Sequence, residues 1–166
     1  MLNFFDAAYQ EPPRNDSQFG LCDNGDGTAA FTDAVQGNSN NWIATVENPQ
    51  RNTLIFTVID NGVINGIDYE GYARCDGMLT SDNHLYFVEL KDQKDDWLSK
   101  AISQLESTIK LFDETHPGKK NQFKHKKAFI CNKKYPYFHV FDNDRALCFF
   151  RNYQFRLDIQ AKILVG

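Results

Sequence analysis

The sequence predicts an α+β fold: a mixed, mainly antiparallel β-sheet with one long helix packed on it, an N-terminal β meander and a C-terminal β extension. Three observations carry this. Short β-prone runs alternate with turn clusters over 19–60. Two apolar-rich runs, 72–80 and 85–91, are joined by Ser81-Asp82-Asn83-His84 as a hairpin. Directly after them Leu98, Ala101, Ile102, Leu105, Ile109 and Phe112 recur at the 3, 4 and 7 spacing of a single helical stripe.

The 166 residues are 42% hydrophobic and include 14 Phe, 7 Tyr and 2 Trp, enough to build one domain over 1–166. A chain of this length buries roughly 70% of its unfolded surface. With a net charge of only -4, a disordered chain is excluded. No 18-residue apolar run exists, so neither a membrane-spanning helix nor a membrane partner is expected. The N-terminal arm, 1–18, carries Asp6, Glu11, Arg14 and Asp16 in place of a basic leader and apolar centre. A secretory signal is therefore not expected and a cytoplasmic location is.

In chain order, Glu11-Pro12-Pro13 stops any helix begun in 3–10. Turn clusters at 23–27, 37–41 and 48–52 separate strands, of which 42–46 and 53–60 are the clearest. The run Asp23-Asn24-Gly25-Asp26-Gly27 is not an EF-hand, because the alignment puts Cys22 at the first ligand position; a hairpin turn fits it. The long helix opens at Asp95 or Asp96 as N-cap and closes before Pro117-Gly118. Strands are then expected at 127–131, 137–142, 146–151 and in the apolar stretch ending at Val165, with a tight turn at Asn143-Asp144. Cysteines at 22, 75, 131 and 148 form no C-x-x-C pair and are read as small buried thiols. The histidines at 84, 116, 125 and 139 are as scattered, and no zinc site is signalled.

Charge is split between the halves of the chain. Residues 1–99 hold 5 basic and 16 acidic side chains, whereas 100–166 hold 13 basic and 6 acidic. Lys119, Lys120, Lys124, Lys126, Lys127, Lys133 and Lys134 fall in one stretch without a carboxylate. It reads either as a solvated loop and strand face or as a polyanion-binding segment. Tyr135, Tyr137, Phe138 and Phe141 supply rings for base stacking or for a core.

An even-length hairpin loop pairs residues whose numbers sum to 165, which sets Asp76 opposite Glu89. Alternation then puts Arg74, Asp76, Glu89 and Lys91 on one face, while Ala73, Cys75, Leu79, Tyr86, Val88 and Leu90 form the core face. Facing carboxylates repel, so the pair requires a cation, from Lys91, Arg74 or a metal.

The order Cys75-Asp76-Gly77, then Glu89-Leu90-Lys91, then a helix bearing Gln104, resembles the PD-(D/E)XK nuclease superfamily. The likeness spans 72–112 inside a motif-bearing core of 72–131. It implies a restriction-endonuclease-like core and a Mg²⁺-dependent (or Mn²⁺-dependent) nuclease acting on DNA in preference to RNA. It further implies Asp76, Glu89 and the Leu90 backbone carbonyl as metal ligands, Lys91 as the residue that orients water and stabilises the transition state, and Gln104 as a positioning group. The superfamily's proline before the aspartate is Cys75 here, and its glutamate-bearing first helix has no counterpart; Glu70, or more remotely Glu47, is the nearest third carboxylate. A module of the same fold that binds nucleic acid or a protein without hydrolysing anything is the alternative. A homodimer is compatible with the sequence. Because the site residues are assigned outside the apolar face, their truncation is expected to leave the thermal midpoint nearly unchanged.

Overall fold

The computed structural model describes residues 2–66, 69–137 and 143–166. The chain runs β1 (Gln18–Cys22), β2 (Phe31–Asp33), β3 (Ala44–Glu47), β4 (Ile55–Val58), β5 (Gly77–Thr80), β6 (His84–Lys91), α1 (Leu98–Thr115), β7 (His125–Asn132), α2 (Asn143–Tyr153), β8 (Arg156–Ile159) and β9 (Lys162–Leu164). The class is the expected one: α+β, with mixed and mostly antiparallel strands and one long helix.

Strands β4-β5-β6-β7-β8 form one sheet. Its first three strands pair antiparallel, and β6-β7-β8 pair parallel. Parallel neighbours need a crossover, supplied by α1 between β6 and β7 and by α2 between β7 and β8. Both helices pack into the same core: Ala101, Leu105, Ile109 and Phe112 of α1, with Phe149 and Tyr153 of α2, meet Met78, Phe87 and Ile130. The other face of this sheet packs on a second sheet, ordered β2-β1-β3-β9, through Leu79, Tyr86, Val88, Leu90 and Phe129 against Phe19, Leu21, Val46 and Ile163. The N-terminal β region is thus divided, β1 to β3 in one sheet and β4 in the other. Among the described residues no helix is long and apolar enough to cross a membrane.

Being covered on both faces explains why β6 is apolar almost without interruption, from Leu85 to Leu90. Glu89 is the one carboxylate in that run and is 1% exposed. Here the structure corrects the expectation of one core face: Glu89 and Lys91 share their face of β6 with Leu85 and Phe87, which pack beneath α1, and Asp76 lies beside Glu89. Their truncation therefore cannot be neutral for stability. Cys75 also changes side, packing into the core under α1, because β5 begins only at Gly77 and alternation does not extend back to it.

Two further expectations change. Residues 146–151 are helix, not strand, and Asn143-Asp144 opens α2 where a turn was expected. The buried residues Phe149 and Tyr153 lie four apart, and so short an apolar run does not distinguish helix from strand by its period. At the start of α1 neither Asp95 nor Asp96 caps: Trp97 holds the N-cap position without a side-chain bond, and Asp96 lies at φ 54°, left-handed and outside the helix. Cys22, Cys75 and Cys131 are buried thiols, but Cys148 is exposed on α2. The strand expected over 137–142, with Phe138 and Phe141, lies outside the described residues apart from Tyr137.

Candidate active site at the end of the central strands

The site forms where β5 stops. Its pairing with β6 has the predicted register, Gly77↔Val88 to Thr80↔Leu85, and does not run past Gly77. A Cβ on Gly77 would stand 2.3 Å from the Phe56 ring, so only glycine leaves room for that ring to lie over the strand. One residue earlier, Asp76 keeps its backbone in the sheet, its N–H donating to the Val88 carbonyl at 3.1 Å and its carbonyl accepting from Ile59 N–H at 3.0 Å. Its side chain then replaces the missing strand: Asp76 Oδ2 accepts from Leu90 N–H at 2.7 Å. Opposite Leu90 the register would bring Cys75 N–H, but that donates to Thr108 Oγ1 on α1 at 2.8 Å. A strand residue's N–H and C=O point the same way, so the Leu90 carbonyl lies on the side of Asp76.

Two side chains one helical turn apart hold segment 74–76 against α1. Gln104 Nε2 donates to the Arg74 carbonyl at 3.2 Å, and Thr108, fully buried, accepts from Cys75 while donating to the Gln104 carbonyl at 2.8 Å. Thr108→Val should therefore cost about 1–3 kcal/mol by leaving a buried N–H without an acceptor, and Thr108→Ser should restore most of it. Urea unfolding of the two variants checks this, and equal stability would remove Thr108 from the support of the site.

Lys91 Nζ lies 2.9 Å from Glu89 Oε2 and donates to Gln104 Oε1 at 2.8 Å. An ammonium has three protons, so one remains for a further acceptor. Glu89 Oε1 is buried without a donor. The Asp76 carboxyl lies within hydrogen-bond reach of Glu89, but two carboxylates are both acceptors unless one holds a proton.

Burial therefore dominates the electrostatics. It pushes the Asp76 carboxyl up to about 6 against the pull of the Leu90 N–H, with the Asp23 and Asp60 charges adding to the rise. It pushes Glu89 well above the ordinary carboxylate range, Asp76 reinforcing the rise and Lys91 opposing it. Chemically, a pair that prefers not to carry two negative charges alone can take up a proton or a hard cation, while Lys91 presents a proton to an anionic oxygen.

The structure thus brings Asp76, Glu89, Lys91 and Gln104 together, with the Leu90 backbone beside them. Glu70 is exposed and stands before Gly71, whose φ is 85°. Among the described residues no group of three or more His, Cys, Asp or Glu side chains is arranged to hold a metal ion. The carboxylates whose charge reaches Asp76 are Asp23, after β1, and Asp60, after β4 and bound to Arg74 Nε at 2.7 Å. Neither was legible as a neighbour, because both belong to other strands. Thr108 left a signal: a polar residue within the apolar stripe, four after Gln104.

The seven lysines separate. Lys133 N–H donates to the Lys91 carbonyl at 2.8 Å, and Lys134 Nζ lies 3.7 Å from Asp92, so these two adjoin the site. Lys124, Lys126 and Lys127 flank the other end of β7, where His125 pairs with His84, seven residues from the Lys91↔Asn132 pair and about 23 Å away at 3.3 Å per residue. Lys120 is bound to Asp113, the Tyr153 carbonyl and Gln154, fixing the turn after α1, and Lys119 lies over the Phe5 ring. Tyr135 stacks on Trp97.

Comparison with family models, with curated proteins and with solved structures found no match.

Proposed function

We propose that this protein is a metal-dependent nuclease that hydrolyses phosphodiester bonds, of DNA in preference to RNA. The observation that carries the reading is the half-buried Asp76 beside the buried Glu89, with a donorless oxygen on Glu89, next to a lysine that keeps one proton free. The order of three antiparallel strands, a helix and a parallel strand, with Asp76 just before the second strand, Glu89 and Lys91 on the third and Gln104 on the helix, supports the resemblance to the PD-(D/E)XK superfamily.

The donor set fits Mg²⁺ or Mn²⁺: two carboxylates and the Leu90 carbonyl are oxygen ligands, and a cation would satisfy Glu89 Oε1 and relieve the repulsion within the pair. When bound, the ion supplies a water of lowered pKa and neutralises charge on the phosphate. Lys91 directs its free proton at the phosphate oxygen where negative charge grows. Gln104 is a positioning residue; its carbonyl oxygen holds Lys91 while its NH₂ holds segment 74–76. With Asp76 bound by the Leu90 N–H and Glu89 by Lys91, neither carboxylate must reorient to meet substrate.

The test is cleavage of plasmid, linear duplex, single-stranded DNA and RNA with Mg²⁺, with Mn²⁺ and with EDTA. Metal-dependent cleavage that disappears in Asp76→Ala, Glu89→Ala and Lys91→Ala is the expected result. No cleavage of any form by the wild type, with nucleic acid still bound, would leave the non-hydrolysing module as the function. Cleavage that survives all three substitutions would place the chemistry elsewhere.

A further inference from the structure

Beside the site, the second sheet carries a groove that the proposed chemistry does not use. It has a volume of about 560 Å³ and lies along β1, β3 and β9. Gln18, Trp42, Glu47, Lys133, Tyr137 and Lys162 line it. Lys133 and Lys162 outnumber the single carboxylate among these, Glu47, which accepts from Gln18 Nε2 at 2.8 Å, so the lining carries a net positive charge. Tyr137 is 82% exposed, the most exposed aromatic ring described, and Lys162 is exposed. Lys133 also lines a smaller hollow with Asp23, Asp33 and Asp92, and its backbone N–H donates to the Lys91 carbonyl, which ties the groove to the strand that bears the site.

We propose that this groove binds the single-stranded flank of the nucleic acid whose phosphate is cut at Asp76, Glu89 and Lys91. The inference rests on the nuclease reading for its direction, from the groove to the site. Lysines at 133 and 162 match the charge of a phosphate backbone, and the exposed Tyr137 ring is a surface on which an unpaired base stacks. In a duplex the base faces are already covered by one another, so a protruding ring of this kind gains nothing from them. The amide side chains of Asn40 and Gln160 in the lining suit polar base edges without demanding one sequence. The lysines of 119–127, at the other end of the sheet, are not on this path.

The experiment measures binding of fluorescein-labelled oligothymidylate and of a hairpin duplex of equal length to the full chain in EDTA, alongside cleavage in Mg²⁺. Tyr137→Ala and Lys162→Ala should each weaken oligothymidylate binding by roughly tenfold, with little effect on the duplex. Lys162→Ala should also lower the salt slope by about 0.7, one contact on a single strand. Lys124→Ala/Lys126→Ala should change neither. Unaltered binding in the two groove variants, absent binding of oligothymidylate, or a larger loss in the Lys124/Lys126 variant would each overturn the groove. The two readings separate cleanly. A wild type that cleaves, with groove variants as active as it is, rejects the groove and keeps the nuclease. A wild type that binds through the groove but never cleaves rejects the nuclease and keeps the groove.

Discussion

Glu89→Gln is expected to yield a protein that is inert and, in the absence of metal, more stable than the wild type at neutral pH. The amide keeps the shape of the side chain and loses the charge that burial opposes. Its NH₂ can also donate to Asp76, giving the facing carboxylate a partner that Glu89 supplies only when protonated. The sign follows from where protons sit. A carboxyl whose native pKa lies above its unfolded value binds more protons folded than unfolded between the two, so stability falls as pH rises through that interval. For Asp76 the interval runs from 3.8 to about 6. Its full loss corresponds to roughly 3 kcal/mol. Glu89 shifts in the same direction from 4.5. Asp16, Asp26 and Asp33 are shifted downward by hydrogen bonds, from Arg14, from Thr28 and from the Val35 backbone respectively, and their contribution is lost only as pH falls below about 4, outside this window. Urea unfolding in EDTA should therefore show the wild type losing stability between pH 4 and 7, and Glu89→Gln losing much less. Mg²⁺ at a hundredfold excess over its Kd should return about 2.7 kcal/mol to the wild type and little to the variant. Cleavage should fall by on the order of 10³, the scale set by removing one preorganised electrostatic group. A wild type equally stable across that range would mean that the pair is not strained.

Much of this site was legible from loop length alone. Four residues between the two runs of the hairpin dictate a register that the β5–β6 pairing repeats from Gly77↔Val88 to Thr80↔Leu85; Asp76, one residue beyond it, bonds Val88 through its backbone N–H instead of pairing with Glu89, and only its carboxyl comes up to the Glu89 side chain. The helix was equally legible, because its buried residues recur at helical spacing over about three turns, from Ala101 to Phe112. What was missed has physical causes. Met78, Leu85 and Phe87 fall on the same face as Glu89, and a run apolar on both parities signals a strand covered on both sides. The apolar residues of helix α2 span too few turns to show a helical period, so the sequence predicts a strand there. The lysines looked like one patch because they are close in sequence, whereas β7 carries them to opposite ends of the sheet.

Lys91→Ala is expected to destabilise the protein by an amount that grows with pH. The Lys91 side chain is 11% exposed and that of Glu89 2%, so removing the ammonium leaves a buried carboxylate facing a second acid, Asp76. Removing one partner of a buried ion pair costs about 3–5 kcal/mol when the remaining charge must stay. It need not stay at low pH: without Lys91 the Glu89 carboxyl binds its proton more tightly still, and near pH 5 the loss should shrink to about 1 kcal/mol, that of the bond to Gln104. Above pH 8 the proton must be given up or the fold weakened, and the larger figure should appear. The double variant Glu89→Gln/Lys91→Met separates charge from packing. It removes the stranded carboxylate and keeps an apolar stem of similar length, so it should regain most of the stability at pH 8 while remaining without cleavage activity. A coupling energy of 2 kcal/mol or more between the two positions at pH 8, falling toward zero at pH 5, is roughly what a buried pair requires. A loss in Lys91→Ala that is the same at both pH values would show that the lysine acts through packing of its stem, and that Glu89 carries a proton throughout.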